Sequence, residues 1–286
     1  MLASNSKAEQ KRIKDPNHTL ILPGCVYISN QFQVDFYEIT CFNWLEYLYW
    51  NAKIFGKNSD EYRAALPDTN VWIKVDERLS YLSIDYLRSP VYRDHPVVGI
   101  SQEQARAFGE WRADRVFERY LIKRKLLLEE KNQTPETYFT TERYYSRELS
   151  TIIGEELSEY YIEFRLPTLR ERNSILRYVE RIHARANRKN SKCWRFFEFI
   201  VSDIELCFED GCPSVPTRNV GFGCKDIGLS NIRGNVSEWL STPGIAAGGS
   251  WHDKRDDILK QDLREYDGPN AFTGFRNVGE WVKWRD

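Results

Sequence analysis

Apolar and polar residues alternate from Leu20 to Phe36 around Pro23-Gly24. This period of two predicts two short strands with a turn between them, LILPG and then CVYISNQFQVDFYEI. The period then lengthens. Trp44, Leu45, Tyr47, Leu48 and Trp50 fall at helical spacing behind Thr40 or Asn43, either of which can cap a helix. Residues 56–94 mix prolines and charges with the run Tyr81 to Leu87, and read as a long connection packed over the surface. Ser101 caps a second helix, predicted from Gln102 to about Glu130, with Ala105, Phe108, Trp111, Val116, Tyr120 and Leu121 along its inner stripe. A third helix over 169–187 turns Ile175, Leu176, Tyr178, Val179 and Ile182 inward. It ends in the basic run HARANRKNSK, which reads as a solvated helix end suited to the C-terminal dipole or, alternatively, as a patch for phosphate or an acidic partner. Residues 191–230 read as loop with one strand, FEFIVSDIELCF.

Regular periodicity is lost near the C-terminus. Asn231-Ile232-Arg233-Gly234-Asn235-Val236-Ser237-Glu238-Trp239, then Gly248-Gly249-Ser250-Trp251 and Gly274-Phe275-Arg276, set glycines and asparagines among large aromatics. That mixture gives tight turns beside bulky packing anchors. Asn231, the main-chain oxygens around Gly234 and Val236, and the Glu238 carboxylate are hard oxygen donors close together in sequence, which is the chemistry calcium asks for. The same residues also read as turn asparagines, a solvated glutamate and core tryptophans.

A chain of 286 residues can bury a sizeable core as one large domain or two small ones. Aromatics reach 14%, which favours an irregular, loop-rich, aromatic-packed fold over a leucine-rich bundle, and the alternation of short strands with two or three helices supports an α+β class. Forty-one basic against forty-two acidic residues leave no global field to hold a polyanion, so no nucleic acid partner is expected. No apolar run approaches the ~20 residues of a membrane helix. Residues 1–19 are polar, read as a disordered tail, and lack the apolar core of a signal peptide. With Met1 as the native start, the expected location is cytoplasmic. The six cysteines (Cys25, Cys41, Cys193, Cys207, Cys212, Cys224) are too few for a disulfide scaffold and read mostly as buried thiols. Cys207, Cys212 and Cys224 could form a disulfide or part of a zinc site, without a fourth ligand at finger-like spacing.

NxxGNVxEW, GGSW and GFR, in this order near the C-terminus, resemble the formylglycine-generating enzyme or sulfatase-modifying factor family. Three earlier stretches add to the resemblance. Tyr37-Glu38-Ile39-Thr40 is similar to the family's yEVT strand. His95-Pro96-Val97-Val98-Gly99-Ile100-Ser101, with Ala105 and Trp111, is similar to its hPVv strand and helix. Arg165-Leu166-Pro167-Thr168 with Glu171 resembles its RLPTEaEW, with Asn173 at the usual Trp. The resemblance implies a complex C-type-lectin-like fold over residues 20–286, low in regular structure, with short antiparallel strands and two or three main helices. It also implies structural calcium held by the side chains of Asn231 and Glu238 and the carbonyls of Gly234 and Val236. Residues 113–164 form an insert atypical of the family, a usual place for partner contacts. The segment from Tyr86 to Arg124 is similar to the gliding-motility branch of the type IX secretion apparatus, whose members are structural and carry an N-terminal lipid anchor; no such anchor is expected here, as residues 1–19 show no lipoprotein signal.

The family's oxidases hold copper with two cysteines, five residues apart, just after the GGS turn, because Cu(I) prefers soft sulfur. Here the matching positions are Asp253 and Ile258, so neither copper nor formylglycine-generating activity is expected. Cys207 and Cys212 share that spacing but lie upstream on a different segment. The resemblance therefore implies a non-catalytic binding or assembly module that recognises a protein, peptide or small ligand through a groove at Trp251, His252, Asp253, Arg255 and Arg276. Trp251 and Arg276 also read as core and as an internal ion pair. The alternative is a metal-dependent oxidoreductase with a rearranged site. An iron site at His252 and Asp253 lacks the second histidine of a facial triad. A third reading is a variable lectin-type receptor on the same fold.

Overall fold

The computed structural model describes residues 20–29, 32–188, 216–220, 229–254, 257 and 263–284. Within them run the helices α1 (Cys41–Ile54), α2 (Asp60–Ala64), α3 (Val71–Val75), α4 (Leu82–Asp85), α5 (Gln102–Lys123), α6 (Thr141–Tyr145) and α7 (Leu169–Arg188). The strands are β1 (Cys25–Ser29), β2 (Phe32–Asp35), β3 (Tyr160–Arg165), β4 (Ser237–Trp239), β5 (Ile245–Ala247), β6 (Leu263–Glu265), β7 (Thr273–Gly274) and β8 (Val278–Lys283). They form two four-stranded sheets, ordered β1-β2-β8-β3 and β6-β5-β4-β7. The result is the expected α+β mixture with modest regular structure. Among the described residues, no helix is long and apolar enough to cross a membrane.

Local chemistry sets the two N-terminal helix starts. Thr40 and Asn43 form a capping box for α1, and Ser101 and Gln104 do the same for α5, so at each start the N-cap N–H and the N–H three residues on are satisfied by side chains. α5 stops at Lys123, short of the expected Glu130, because Lys125 turns to a φ of 59° and Leu127 bridges to Ile152. Ala105, Phe108 and Leu121 of its expected stripe are buried, whereas Trp111, Val116 and Tyr120 are half-buried and Phe117 takes a central place. On α7, Ile175 and Val179 are buried, with Leu176 and Tyr178 packed beside them.

The hairpin near the N-terminus differs from its alternation pattern. Both strands lie within CVYISNQFQVD, while Leu20 to Gly24 form the approach and turn rather than a strand. Gln33 explains the difference, since its side chain accepts from Leu22 N–H and donates to Leu20 C=O, leaving those groups no need of a strand partner. The chain closes on itself as β8 enters between β2 and β3, pairing Val34 with Val278 and Ile162 with Trp281. α5 lies close over β3. A Cβ at Gly109 would come 2.7 Å from the Phe164 carbonyl oxygen, so glycine permits the approach.

Aromatic packing joins these layers. Trp44 stacks on Phe108 at 5.5 Å and meets Phe275 edge-on at 6.1 Å. The 113–164 segment adds a second core of Phe117, Phe139, Tyr144 and Ile162 with the C-terminal Trp281. Residues 56–94, expected over the surface, instead bury Val71, Trp72, Leu79, Leu82 and Tyr86. Trp72 stacks against Trp251 of the GGSW turn at 6.2 Å, which draws this connection into the core. The tail 1–19, the FEFIVSDIELCF strand, and Cys193, Cys207, Cys212 and Cys224 lie outside the described residues. Cys25 and Cys41 are buried free thiols whose pKa values are pushed up by burial.

Candidate functional site

Three left-handed residues, Asn231 (φ 53°), Gly234 (φ 75°) and Asn235 (φ 62°), coil the NxxGN loop back on itself. The GGSW turn closes over it. Gly234 N–H donates to Gly248 C=O at 2.9 Å and Trp251 N–H donates to Asn235 C=O at 2.8 Å. Gly248, at φ 101°, passes so near that a Cβ would lie 3.0 Å from the Ile232 carbonyl oxygen.

Beneath this loop lies a buried charge hub. Arg276 is fully enclosed, with Nε 2.7 Å and Nη2 2.6 Å from the same Glu238 oxygen, Oε1. Its Nη2 also donates to Ser230 C=O at 2.8 Å, and Nη1 donates to Asp35 C=O at 3.2 Å. Glu38 stands 3.9 Å from Arg276 Nη2 and accepts from the side-chain amides of Asn231 (3.1 Å) and Asn235 (2.9 Å). Asp35 pairs with Arg112 at 2.7 Å and accepts from Asn277 N–H at 2.8 Å. Burial pushes the Glu38 carboxyl up to about 7, opposed by Arg276 and reinforced by the Glu238 charge. Burial works against the Arg276 charge, yet the Glu238 and Glu38 carboxylates outweigh it and hold its pKa above the ordinary guanidinium value.

The hub also bears on calcium. Three carboxylates (Asp35, Glu38, Glu238) face two guanidiniums (Arg112, Arg276), so with all of them ionised one negative charge is left over. Asn231 spends its amide nitrogen on Glu38, which leaves Oδ1 as the atom it can offer a cation. Glu238 meets Arg276 through Oε1 alone, which leaves Oε2 in the same role. The donor chemistry of Asn231, Glu238 and the Gly234 and Val236 carbonyls thus fits a hard cation.

The turn after Gly249 is organised differently. Asp253 Oδ2 accepts from Ser250 N–H at 2.8 Å and Ser250 Oγ–H at 2.9 Å, while Oδ1 faces Arg264 Nε at 3.4 Å. Trp251 is buried, and its Nε1–H donates to Ala271 C=O at 3.0 Å. His252 is exposed, with its ring stacked on Phe272 at 4.8 Å and 25°. It stands at the mouth of a cleft of about 280 Å³ between α3 and the segment Pro269 to Phe272.

Of the expected groove residues among those described, only His252 lines this cleft. Trp251 and Arg276 are core and do not face a groove, because the tryptophan fills the space behind Trp72 and the arginine neutralises buried carboxylates. Asp253 holds the turn together, and Arg255 lies outside the described residues, as does Ile258. Asn231, Gly234, Val236 and Glu238 share one loop and strand, as their spacing indicates. Sequence reasoning missed Glu38, Asp35 and Arg112 as hub members, although Glu38 lies in the quoted YEIT stretch. It also missed Val71, Lys74 and Phe272, for which no local signal exists. Among the described residues, no group of three His, Cys, Asp or Glu side chains could hold a metal. The calcium set named above contains a single carboxylate and is of a different kind.

No curated protein matches this sequence. A solved structure entitled "Crystal Structure of CarF" is similar at 15% identity and a TM-score of 0.37, over 87% of this chain and 86% of that chain. Residues 23–281 match the sulfatase-modifying factor enzyme 1-like domain. The match covers the hub, both C-terminal turns and the helices that carry them, and the chain therefore belongs to the sulfatase-modifying factor enzyme 1-like family.

Proposed function

We propose that this chain is a non-catalytic binding or assembly module of the family, engaging a protein, peptide or small ligand at the cleft beside the GGSW turn. The observation that carries this reading is the state of Asp253. At the place where the resemblance puts a copper thiolate, both carboxylate oxygens are engaged, one by Ser250 and the other by Arg264. A carboxylate held in this way offers Cu(I) no soft donor. The neighbouring cleft, by contrast, is open and lined mainly by apolar side chains, the usual character of a ligand site.

Calcium belongs to this reading as a structural cofactor. Asn231 and Glu238 side chains and Gly234 and Val236 carbonyls would hold it, and when bound it supplies positive charge and ties the NxxGN loop to β4. The surrounding side chains provide the rest, with Arg276 neutralising Glu238 and Asn235 orienting Glu38.

Two assays on the purified chain test the reading. With Cu(I), oxygen and a sulfatase-type CxPxR peptide, no aldehyde is expected, and aldehyde formation would overturn it. A photoreactive phenylalanine analogue placed at Pro269, an exposed residue of the cleft lining, is expected to give a discrete cellular adduct that disappears with His252→Ala. An adduct indifferent to His252→Ala would remove the cleft from the proposal.

A further inference from the structure

The cleft has a chemistry of its own. Val71 and Val75 of α3 form one wall, and Pro269, Ala271 and Phe272 form the other. These walls are apolar, so the part of a ligand that enters leaves its polar groups outside. The volume of about 280 Å³ lies just under the usual range for small-molecule pockets and suits a single ring system.

The second wall is preorganised. Trp251 Nε1–H bonds Ala271 C=O at 3.0 Å, Asn270 Oδ1 accepts from Phe272 N–H at 2.9 Å, and Asn270 C=O accepts from Gly99 N–H at 2.9 Å. Asn270 Nδ2 donates to Gly268 C=O at 3.0 Å, so this amide spends both ends on its own loop. Behind Phe272 stands Trp251 at 5.5 Å, and in front of it lies the His252 ring. An aromatic guest therefore meets a rigid stacking edge and loses little to ordering the site.

Two polar groups remain at the rim, His252 and Lys74. The Lys74 ammonium donates to Asp68 at 2.7 Å, and its side chain is 65% exposed. An ammonium has three donors, so the bond to Asp68 leaves two for a guest.

We infer that the cleft binds an aromatic carboxylate, with the ring between the valines of α3 and the Phe272–His252 stack and the carboxylate on Lys74. This rests on the binding reading above and names its ligand class. The same chemistry is available from a free aromatic acid or from an aromatic residue at the end of a peptide.

The test titrates the full chain with indole-3-acetate, its neutral amide and a tripeptide ending in tryptophan, each followed by backbone amide NMR. Indole-3-acetate is expected to shift Val71, Val75, Ala271 and His252 in a saturable way below about 10 mM. The neutral amide is expected to bind about three- to fivefold more weakly, the size of one exposed charge contact, and Lys74→Gln is expected to erase that difference. The tripeptide binding more tightly than the free acid would identify the peptide as the source, and the reverse order a free metabolite. Equal binding of acid and amide to the cleft would sink the carboxylate assignment while leaving the binding reading intact. No saturable shift at these residues with any of the three probes would overturn the ligand class, and the photoreactive adduct at Pro269 would then decide the binding reading separately.

Discussion

The two C-terminal loops of this protein lie in contact yet use their polar groups in opposite ways. The NxxGN loop turns its charge inward, with Glu238, Glu38 and Arg276 all enclosed and set against one another. The turn after Gly249 sends His252 outward to the mouth of an apolar cleft. The difference teaches that a motif's charged residues need not be its recognition surface. Buried charge is costly to leave unpaired and so becomes architecture, whereas an exposed ring beside an open apolar cleft remains available to a ligand.

The strongest way to break this contrast is Arg276→Met. It leaves Glu238 and Glu38 without their guanidinium and is expected to cost about 3–5 kcal/mol in denaturant unfolding. A loss under about 1 kcal/mol would show that the hub is not what holds the two loops together.

Calcium comes next. Saturating calcium is expected to raise stability by about 2.7 kcal/mol at a hundredfold excess over Kd, and chelator is expected to remove that gain. An identical melting temperature with calcium and with chelator would end the calcium proposal and leave Arg276 and Arg112 as the hub's cations.

Acid probes the packing behind the open turn. His95 Nδ1 lies 2.9 Å from Thr217 Oγ1, and its ring meets Tyr86, which packs on Trp72 behind Trp251. Burial pulls the His95 pKa down to about 4, with Asp94 opposing and Arg218 assisting. Between about 6.5 and 4 the unfolded chain therefore binds more protons at this site. The His95 contribution is complete above pH 6.5 and is lost as pH falls through that window. His95→Asn is expected to flatten this part of the profile relative to the parent protein, and an unchanged slope would contradict the assignment.

The smallest expected stability effect belongs to a residue of the cleft itself. His252→Ala is exposed and should change stability by less than about 0.5 kcal/mol. It should nevertheless weaken binding of indole-3-acetate in the same NMR titration. A large stability loss would place His252 with the architecture and dissolve the distinction between the two loops.

Much of the frame was legible beforehand. Thr40 and Ser101 marked their helix starts because a cap acts within one turn, and the apolar stripe of α5 placed Ala105, Phe108 and Leu121 inside. Long-range placement was not legible. The alternation at Leu20 to Gly24 read as a strand, but Gln33 captured its polar groups instead. Residues 56–94 read as surface because their charges dominate the average, while Trp72 and Leu79, which decide their placement, are buried.

By itself, the sequence determined the α+β character, the principal helices, and the order of motifs that places the chain in its family. Those depend on local periodicity, capping and turn chemistry. Only the tertiary structure decided which motif residues lock and which stay open. Glu38 and Arg276 become partners, and Val71 and Phe272 become opposite walls of one cleft, because folding brings together segments some two hundred residues apart. Periodicity can say that a side chain faces inward, but whether it meets a charge, a ring or an empty space depends on what the distant segment brings.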